Sequence, residues 1–147
     1  MLGELLIVVS LDDRLVAFPA IDVDSIVDLD RISPVPRAPA HVRGLATQRS
    51  RPLTVIDCRA AIGLPPASAT EADGRAPVVV RDKHHYALMV DRLLDAVPAE
   101  GAADDVTGAV GRNWLRIARG RIATPLGDAL VIDIGALIDG CETELAA

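Results

Sequence analysis

Short apolar runs, each broken after a few residues by an acidic pair, a proline or a glycine, set the rhythm of this chain. "LLIVVSL" (Leu5 to Leu11) stops at the turn pair Asp12-Asp13 and "RLVAFPA" (Arg14 to Ala20) follows, a pattern that predicts a hairpin. "DSIVDL" (Asp24 to Leu29) predicts another short strand. In "SPVPRAP" (Ser33 to Pro39) three prolines remove ladder donors and impose an extended, irregular path. "HVRGLAT" (His41 to Thr47) and "PLTVID" (Pro52 to Asp57) predict strands joined through Gln48 to Arg51. Leu64 to Ala76 is polar and rich in Pro and Ala, which marks a mobile loop between lobes. Beyond it, "PVVVRD" (Pro77 to Asp82) and "YALMVD" (Tyr86 to Asp91) flank Lys83 to His85 as a second hairpin, with "LLDAV" (Leu93 to Val97) next. After a Gly/Ala/Asp loop over Pro98 to Arg112, "WLRIA" (Trp114 to Ala118), "RIAT" (Arg121 to Thr124) and "ALVID" (Ala129 to Asp133) read as further strands. Strands this short and closely spaced fit barrels or a sandwich, since βαβ units need a long helix between strands.

Two segments recur. "VIDCRAAI" (Val55 to Ile62) and "VIDIGALI" (Val131 to Ile138) share an apolar strand end, an Asp and a short amphipathic run. Asp57 and Asp133 are placed to N-cap one or two helical turns. Upstream of each, "AIDVDSIV" (Ala20 to Val27) and "MVDRLLDAV" (Met89 to Val97) echo one another, each passing through an Asp and closing in Val. The order predicts two related lobes within a single domain of residues 1–147, lobe 1 over approximately 14–76 and lobe 2 over approximately 4–13 plus 77–140.

Composition narrows the function. Half the residues are apolar while aromatics are 2%, so Val, Ile, Leu and Ala must build the core, which favours strands. A net charge of −6 disfavours nucleic-acid binding, which depends on neutralising phosphates. No apolar run is long enough to cross a bilayer and no signal-peptide pattern is present, so neither membrane insertion nor export is expected. Cys58 and Cys141 make no disulfide framework and read as inert thiols of a reducing cytoplasm.

No catalytic motif stands in the chain. His84 and His85 are adjacent, point to opposite faces of a strand, and read with His41 as non-ligands; no metal and no cofactor is expected. Nucleophile-elbow, Walker and dinucleotide motifs are absent, and Asp57, Asp91 and Asp133 fall at strand ends where capping accounts for them. What stands out is a basic cluster, Arg37, Arg43, Arg49, Arg51 and Arg59, with Asp57 its one acidic neighbour. Such a rim sets partner choice and on-rate. Gly44 interrupts a strand pattern, which marks a bulge or the close approach of another backbone.

At these residues the chain resembles the CheW-like domain family. "SPVPRAPAHVRGLATQRSRPLTVIDCRAAIGL" (Ser33 to Leu64) is similar to its signature stretch, "VDSIVDL" to its "V.EI" segment, "YALMVDRLLDAV" to its "VD.V..V" segment and "LGDALVIDIGALI" to its closing strand and helix. The resemblance runs from about Leu5 to Ile138 and implies an all-β fold of two five-stranded SH3-like barrels with short helices. It implies a stand-alone, non-enzymatic adaptor of the cytoplasm, at membrane-associated receptor arrays, that couples a CheA-like histidine kinase to chemoreceptors. The kinase's homologous regulatory domain would pair with one barrel end, and the receptor's hairpin tip would lie in the groove between barrels. The receptor-facing positions carried over are Val23, Gly44, Val97 and the turn arginine Arg49, with Arg37, Arg43 and Arg51 as a basic rim.

The sequence departs from the family pattern at Ser25 (usually Glu), Gln48 (Leu), Ser50 (Gly) and Cys58 (Leu). The first removes a carboxylate that would partner Arg49, leaving Arg49 either to reach an acidic group on the binding partner or to pair with Asp24 or Asp28, and the third predicts an altered turn geometry. A second reading is therefore a regulatory domain that binds the kinase but not receptors. A small-molecule-binding barrel and an enzyme rank below both.

Overall fold

The computed structural model describes residues 4–65, 74–104 and 112–140, which form two five-stranded sheets with a few short helices. The elements are β1 (Leu5–Leu11), β2 (Arg14–Pro19), a 3-10 turn (Ala20–Asp22), β3 (Val23–Asp28), β4 (Val42–Gln48), β5 (Arg51–Asp57) and α1 (Cys58–Ala61). They continue with β6 (Arg75–Arg81), β7 (His84–Met89), β8 (Arg92–Pro98), α2 (Arg112–Ile117), β9 (Ala118–Thr124), β10 (Gly127–Ile132) and α3 (Ile134–Asp139). One sheet has the order β8-β1-β2-β10-β9, the other β3-β6-β7-β5-β4.

Among the described residues four two-residue turns close hairpins, and in three of them, Asp12-Asp13, Arg49-Ser50 and Asp82-Lys83, both central residues lie at positive φ; the fourth is Pro125-Leu126. This twist matches that of the flanking strands, which is why such turns dominate tight hairpins. Ser50, at φ 69°, thus holds the left-handed backbone that a glycine would adopt without strain. The second hairpin turns at Asp82-Lys83, so that His84 and His85 begin β7.

The two sheets are topological equivalents. Hairpin β1-β2 corresponds to β6-β7, the parallel pair β2-β10 to β7-β5, and each sheet's third strand is exchanged. β3, which follows β1-β2, crosses to pair with β6; β8, which follows β6-β7, crosses back to pair with β1. The bulges recur in equivalent places, at Val23/Ser25 and Val8/Val9 and again at Val42/Gly44 and Val131/Ile132. So do single backbone bonds: Asp57 N–H donates to His41 O and Asp133 N–H to Ile117 O, both at 2.7 Å. The sheets repeat one pattern of strand order and connection, and each gathers segments that are distant in sequence. One sheet takes residues 5–19, 92–98 and 118–132, the other 23–28, 42–57 and 75–89, because the exchanged strands pair with partners far along the chain.

Each sheet has its own small core, Leu53, Val55, Val78 and Ala87 in one and Leu6, Val8, Ala17 and Val97 in the other. The largest cluster lies between them: Val9, Val16, Phe18 and Ile132 from one sheet meet Ile56, Val79 and Leu88 from the other, with Val90 and with α1, α2 and α3 packed around them. At roughly 1.5–3 kcal/mol for each large aliphatic side chain buried, this shared cluster makes the lobes one cooperative unit. Trp114, expected on a strand, sits in α2 with its ring buried in the shared core and Arg14 stacked on it, 5.5 Å from guanidinium to ring centre. Tertiary packing outweighs the β-propensity of Trp-Leu-Arg-Ile here.

Candidate partner-binding surfaces

The two caps form as read. Asp57 Oδ1 accepts from Ala60 N at 3.2 Å and Asp133 Oδ1 from Ala136 N at 3.1 Å, so α1 and α3 start where the sheets end. Asp57 is buried and its second oxygen takes Arg43 at 3.3 Å, whereas Asp133 stays exposed. Asp91 is no cap. Its carboxylate receives two hydrogen bonds from Arg59, at 2.8 and 2.7 Å, and one from the Asp12 amide at 2.9 Å. Burial by itself pushes this carboxyl up, but the Arg59 hydrogen bonds, the Asp12 amide and the Arg59 charge together hold it below the usual aspartate range.

The basic cluster is therefore split by the fold. Arg59 and Arg43 are taken up by Asp91 and Asp57, while Arg37, Arg49 and Arg51 remain exposed. Arg51 donates to His85 Nε2 at 2.9 Å. Arg49 tips the β4-β5 turn beside a cleft of about 270 Å³ that it shares with Asp24, Ser25, Gln48 and Arg51. Across this seam Ser25 Oγ donates to Gln48 Oε1 at 3.5 Å, a contact that the usual Glu and Leu would not make. No ion pair joins Arg49 to Asp24 or Asp28.

The four positions carried over for a receptor do not lie on one surface. Gly44 is buried: a Cβ on it would run into the carbonyl of Ser33, whose backbone exchanges hydrogen bonds with Leu45 at 2.8 Å in both directions. The backbone that approaches Gly44 is thus the chain's own. Val97 is 6% exposed within the core of one sheet. Only Val23 and Arg49 reach solvent. Val23 is half-buried at the head of β3, paired with Val79 and packed on the shared cluster.

Leu93 of β8, paired with Val9 of β1, holds the register position equivalent to Val23, and it too is half-buried on the shared cluster, as is Ile7. Sequence reasoning missed Leu93 and Ile7. The pairing register was the missing signal, because it sets Val97 opposite Leu6, in the place equivalent to Val27 opposite Ala76.

Other sequence expectations concern chemistry. Cys58 is buried, and burial followed by the charges of Asp57 and Asp91 pushes its thiol well up, which keeps it unreactive. Cys141 and residues 66–73 of the predicted loop fall outside the described residues. His41 is buried and its Nε2 donates to Ile138 O at 2.8 Å, tying β4 to the end of α3. Among the described residues no group of three or more His, Cys, Asp or Glu converges as a metal site, and no helix is long and apolar enough to cross a membrane.

The family model described as the CheW-like domain matches residues 5–140. No curated protein matches the chain. Among solved structures, the crystal structure of the scaffolding protein TtCheW from Thermoanaerobacter tengcongensis aligns with a TM-score of 0.74 at 19% identity, covering 88% of this chain and 84% of that one. At that identity the likeness is one of fold.

Proposed function

Because the chain belongs to the CheW-like domain family, we propose that it is a non-enzymatic adaptor joining a chemotaxis-type histidine kinase to the cytoplasmic tips of chemoreceptors. It would act in the cytoplasm, at membrane-associated receptor arrays, with the kinase's regulatory domain on one barrel end and a receptor hairpin between the barrels. The observation that carries the receptor side is the symmetric placement of Val23 and Leu93. Two aliphatic side chains, half-buried on the core that unites the lobes, stand where the exchanged strands β3 and β8 begin, and Ile7 packs on the same core. Half-buried aliphatic side chains on rigid strands suit the packing of a helical partner, and exposed Arg49 adds a charge for orientation. Gly44 and Val97 act behind this surface as structural supports.

Titration calorimetry against the kinase's regulatory domain and, separately, a soluble receptor hairpin tests the proposal. Val23→Asp and Leu93→Asp are expected to weaken receptor binding at least about tenfold while kinase binding persists, and Arg49→Glu to weaken it by about 2 kcal/mol, the scale of an interface hot spot. Wild-type protein that binds the kinase but no receptor selects the regulatory-domain reading, which the loss of the usual carboxylate at Ser25 favours. Binding to neither overturns the adaptor reading.

A further inference from the structure

The sheet β3-β6-β7-β5-β4 ends in a polar mouth. On the face bearing its small core, the pairing register sets Gln48, Arg51 and His85 one step beyond Ala46, Leu53 and Ala87, with Ser25 of β3 beside Val78. Ser25, Gln48, Arg49 and Arg51 line the cleft of about 270 Å³ between β3 and β4, and Asp24 is its one acidic group. Among the described residues neither arginine has a carboxylate partner. Arg51 is held instead by His85, whose Nε2 accepts one of its N–H groups at 2.9 Å. Gln48 Oε1 accepts from the Ser25 hydroxyl, which leaves the amide NH2 to donate. Two guanidinium groups, an amide and a hydroxyl therefore bring hydrogen-bond donors to one small space.

The other sheet supplies the contrast. By register Asp95 stands in place of Ser25, Thr124 of Gln48, Gly127 of Arg51 and Leu15 of His85, and the turn is Pro125-Leu126 instead of Arg49-Ser50. None of these residues is a cation. Thr124 Oγ1 donates to Gly127 O at 2.6 Å and accepts from Leu126 N at 3.1 Å, so that turn closes on itself. A hairpin of this kind needs no arginine, and hairpin closure does not explain Arg49 and Arg51. We propose that the cleft between β3 and β4 binds a phosphate group, as free phosphate or as the monoester of a small organic molecule. The two planar guanidinium forks suit bidentate contact with phosphate oxygens, and the Ser25 hydroxyl and Gln48 amide serve the acceptor sites that remain. The two arginine charges outweigh that of Asp24, so the lining is net positive. The site belongs to the isolated chain and does not rest on the adaptor reading.

Titration of the full chain with inorganic phosphate, glycerol 3-phosphate and acetate, followed by backbone amide NMR shifts, tests this. Saturable shifts centred on Ser25 and on Gln48 to Arg51 are expected with both phosphates, weakening at high salt, which screens the exposed charges. Acetate is expected to bind at least about tenfold more weakly. The tighter of the two phosphates identifies the source, free anion or monoester. Arg51→Gln is expected to raise the dissociation constant at least about tenfold, and so is Ser25→Asp, which installs the carboxylate that Asp95 carries in the other sheet. Arg92→Gln removes an exposed arginine elsewhere, with the same change in net charge, and is expected to leave the constant unchanged. Thermal unfolding checks that each variant is folded, and Arg51→Gln decides alone if Ser25→Asp is not. Scattered or unsaturable shifts, acetate as tight as phosphate, or Arg92→Gln as damaging as Arg51→Gln overturns the proposal. Kinase and receptor are absent from this titration, so its result stands whatever their binding shows.

Discussion

Arg59 and Asp91, thirty-two residues apart, form a two-point ion pair that joins helix α1 of one lobe to the strand crossing into the other. The Asp12 amide, at the tip of the β1-β2 hairpin, shares the same carboxylate, so three elements meet on one acidic side chain. Arg59→Ala is expected to destabilise the protein by about 2 kcal/mol, the cost of leaving a charged acceptor without its main donor, read as a shift in the urea midpoint.

The pH dependence follows from the same pair. Asp91 has a folded-state pKa held below its unfolded value, so its contribution is fully present above the unfolded value of about 4 and is lost as pH falls through the lower, folded one. Urea midpoints between pH 7 and pH 2 are expected to fall less steeply on acidification in Asp91→Asn than in wild type. Parallel curves would show that Asp91 does not feel Arg59 in solution.

Gly44 and Gly120 occupy equivalent positions beside the Ser33 and Asp104 bridges, but with different clearance. At Gly44, φ is +149° and a Cβ would collide with the Ser33 carbonyl; at Gly120 it would sit 3.0 Å from Asp104 O. Gly44→Ala is expected to cost about 3 kcal/mol and Gly120→Ala about 1 kcal/mol, since only the first combines a backbone collision with a glycine-favouring conformation. Thermal unfolding of both checks the order. Equal costs, or a stable Gly44→Asp protein that has lost only receptor binding, would restore Gly44 to the interface.

The two helix caps differ in the same graded way. Asp133→Ala removes an exposed cap and is expected to cost about 1 kcal/mol. Asp57→Ala also strips Arg43 of its partner in a buried setting, and about 2–3 kcal/mol is expected. Chemical denaturation of the pair measures the difference.

Ser50 at φ 69° holds a conformation that costs a residue with a Cβ more than glycine. Ser50→Gly is expected to raise stability by about 0.5 kcal/mol, with binding unchanged, by restoring the turn residue that the backbone calls for.

Much of this architecture is local and is written in the residues themselves. The strand runs from Leu5 to Val97, the turn pairs Asp12-Asp13 and Arg49-Ser50, and the Asp57 and Asp133 caps are each decided by neighbours a few positions away, where period, turn chemistry and capping act. The duplication was visible for the same reason, since both halves repeat the same local instructions. What local pattern does not contain is the partner of each strand. β3 and β8 read alike, and only the competition for the shared core sends each to the other lobe's sheet, which moves Val97 inside and brings Leu93 to the place beside Val23. The arginines follow the same logic. Arg43, Arg49 and Arg59 look equivalent along the chain, yet Arg59 meets an aspartate in the connection between β7 and β8, Arg43 meets one at the end of β5, and Arg49 is left to solvent. Whether a charge is a clamp or a contact depends on which groups desolvation brings within about 3 Å of it, and that distance is fixed only once the two sheets have closed on their common core.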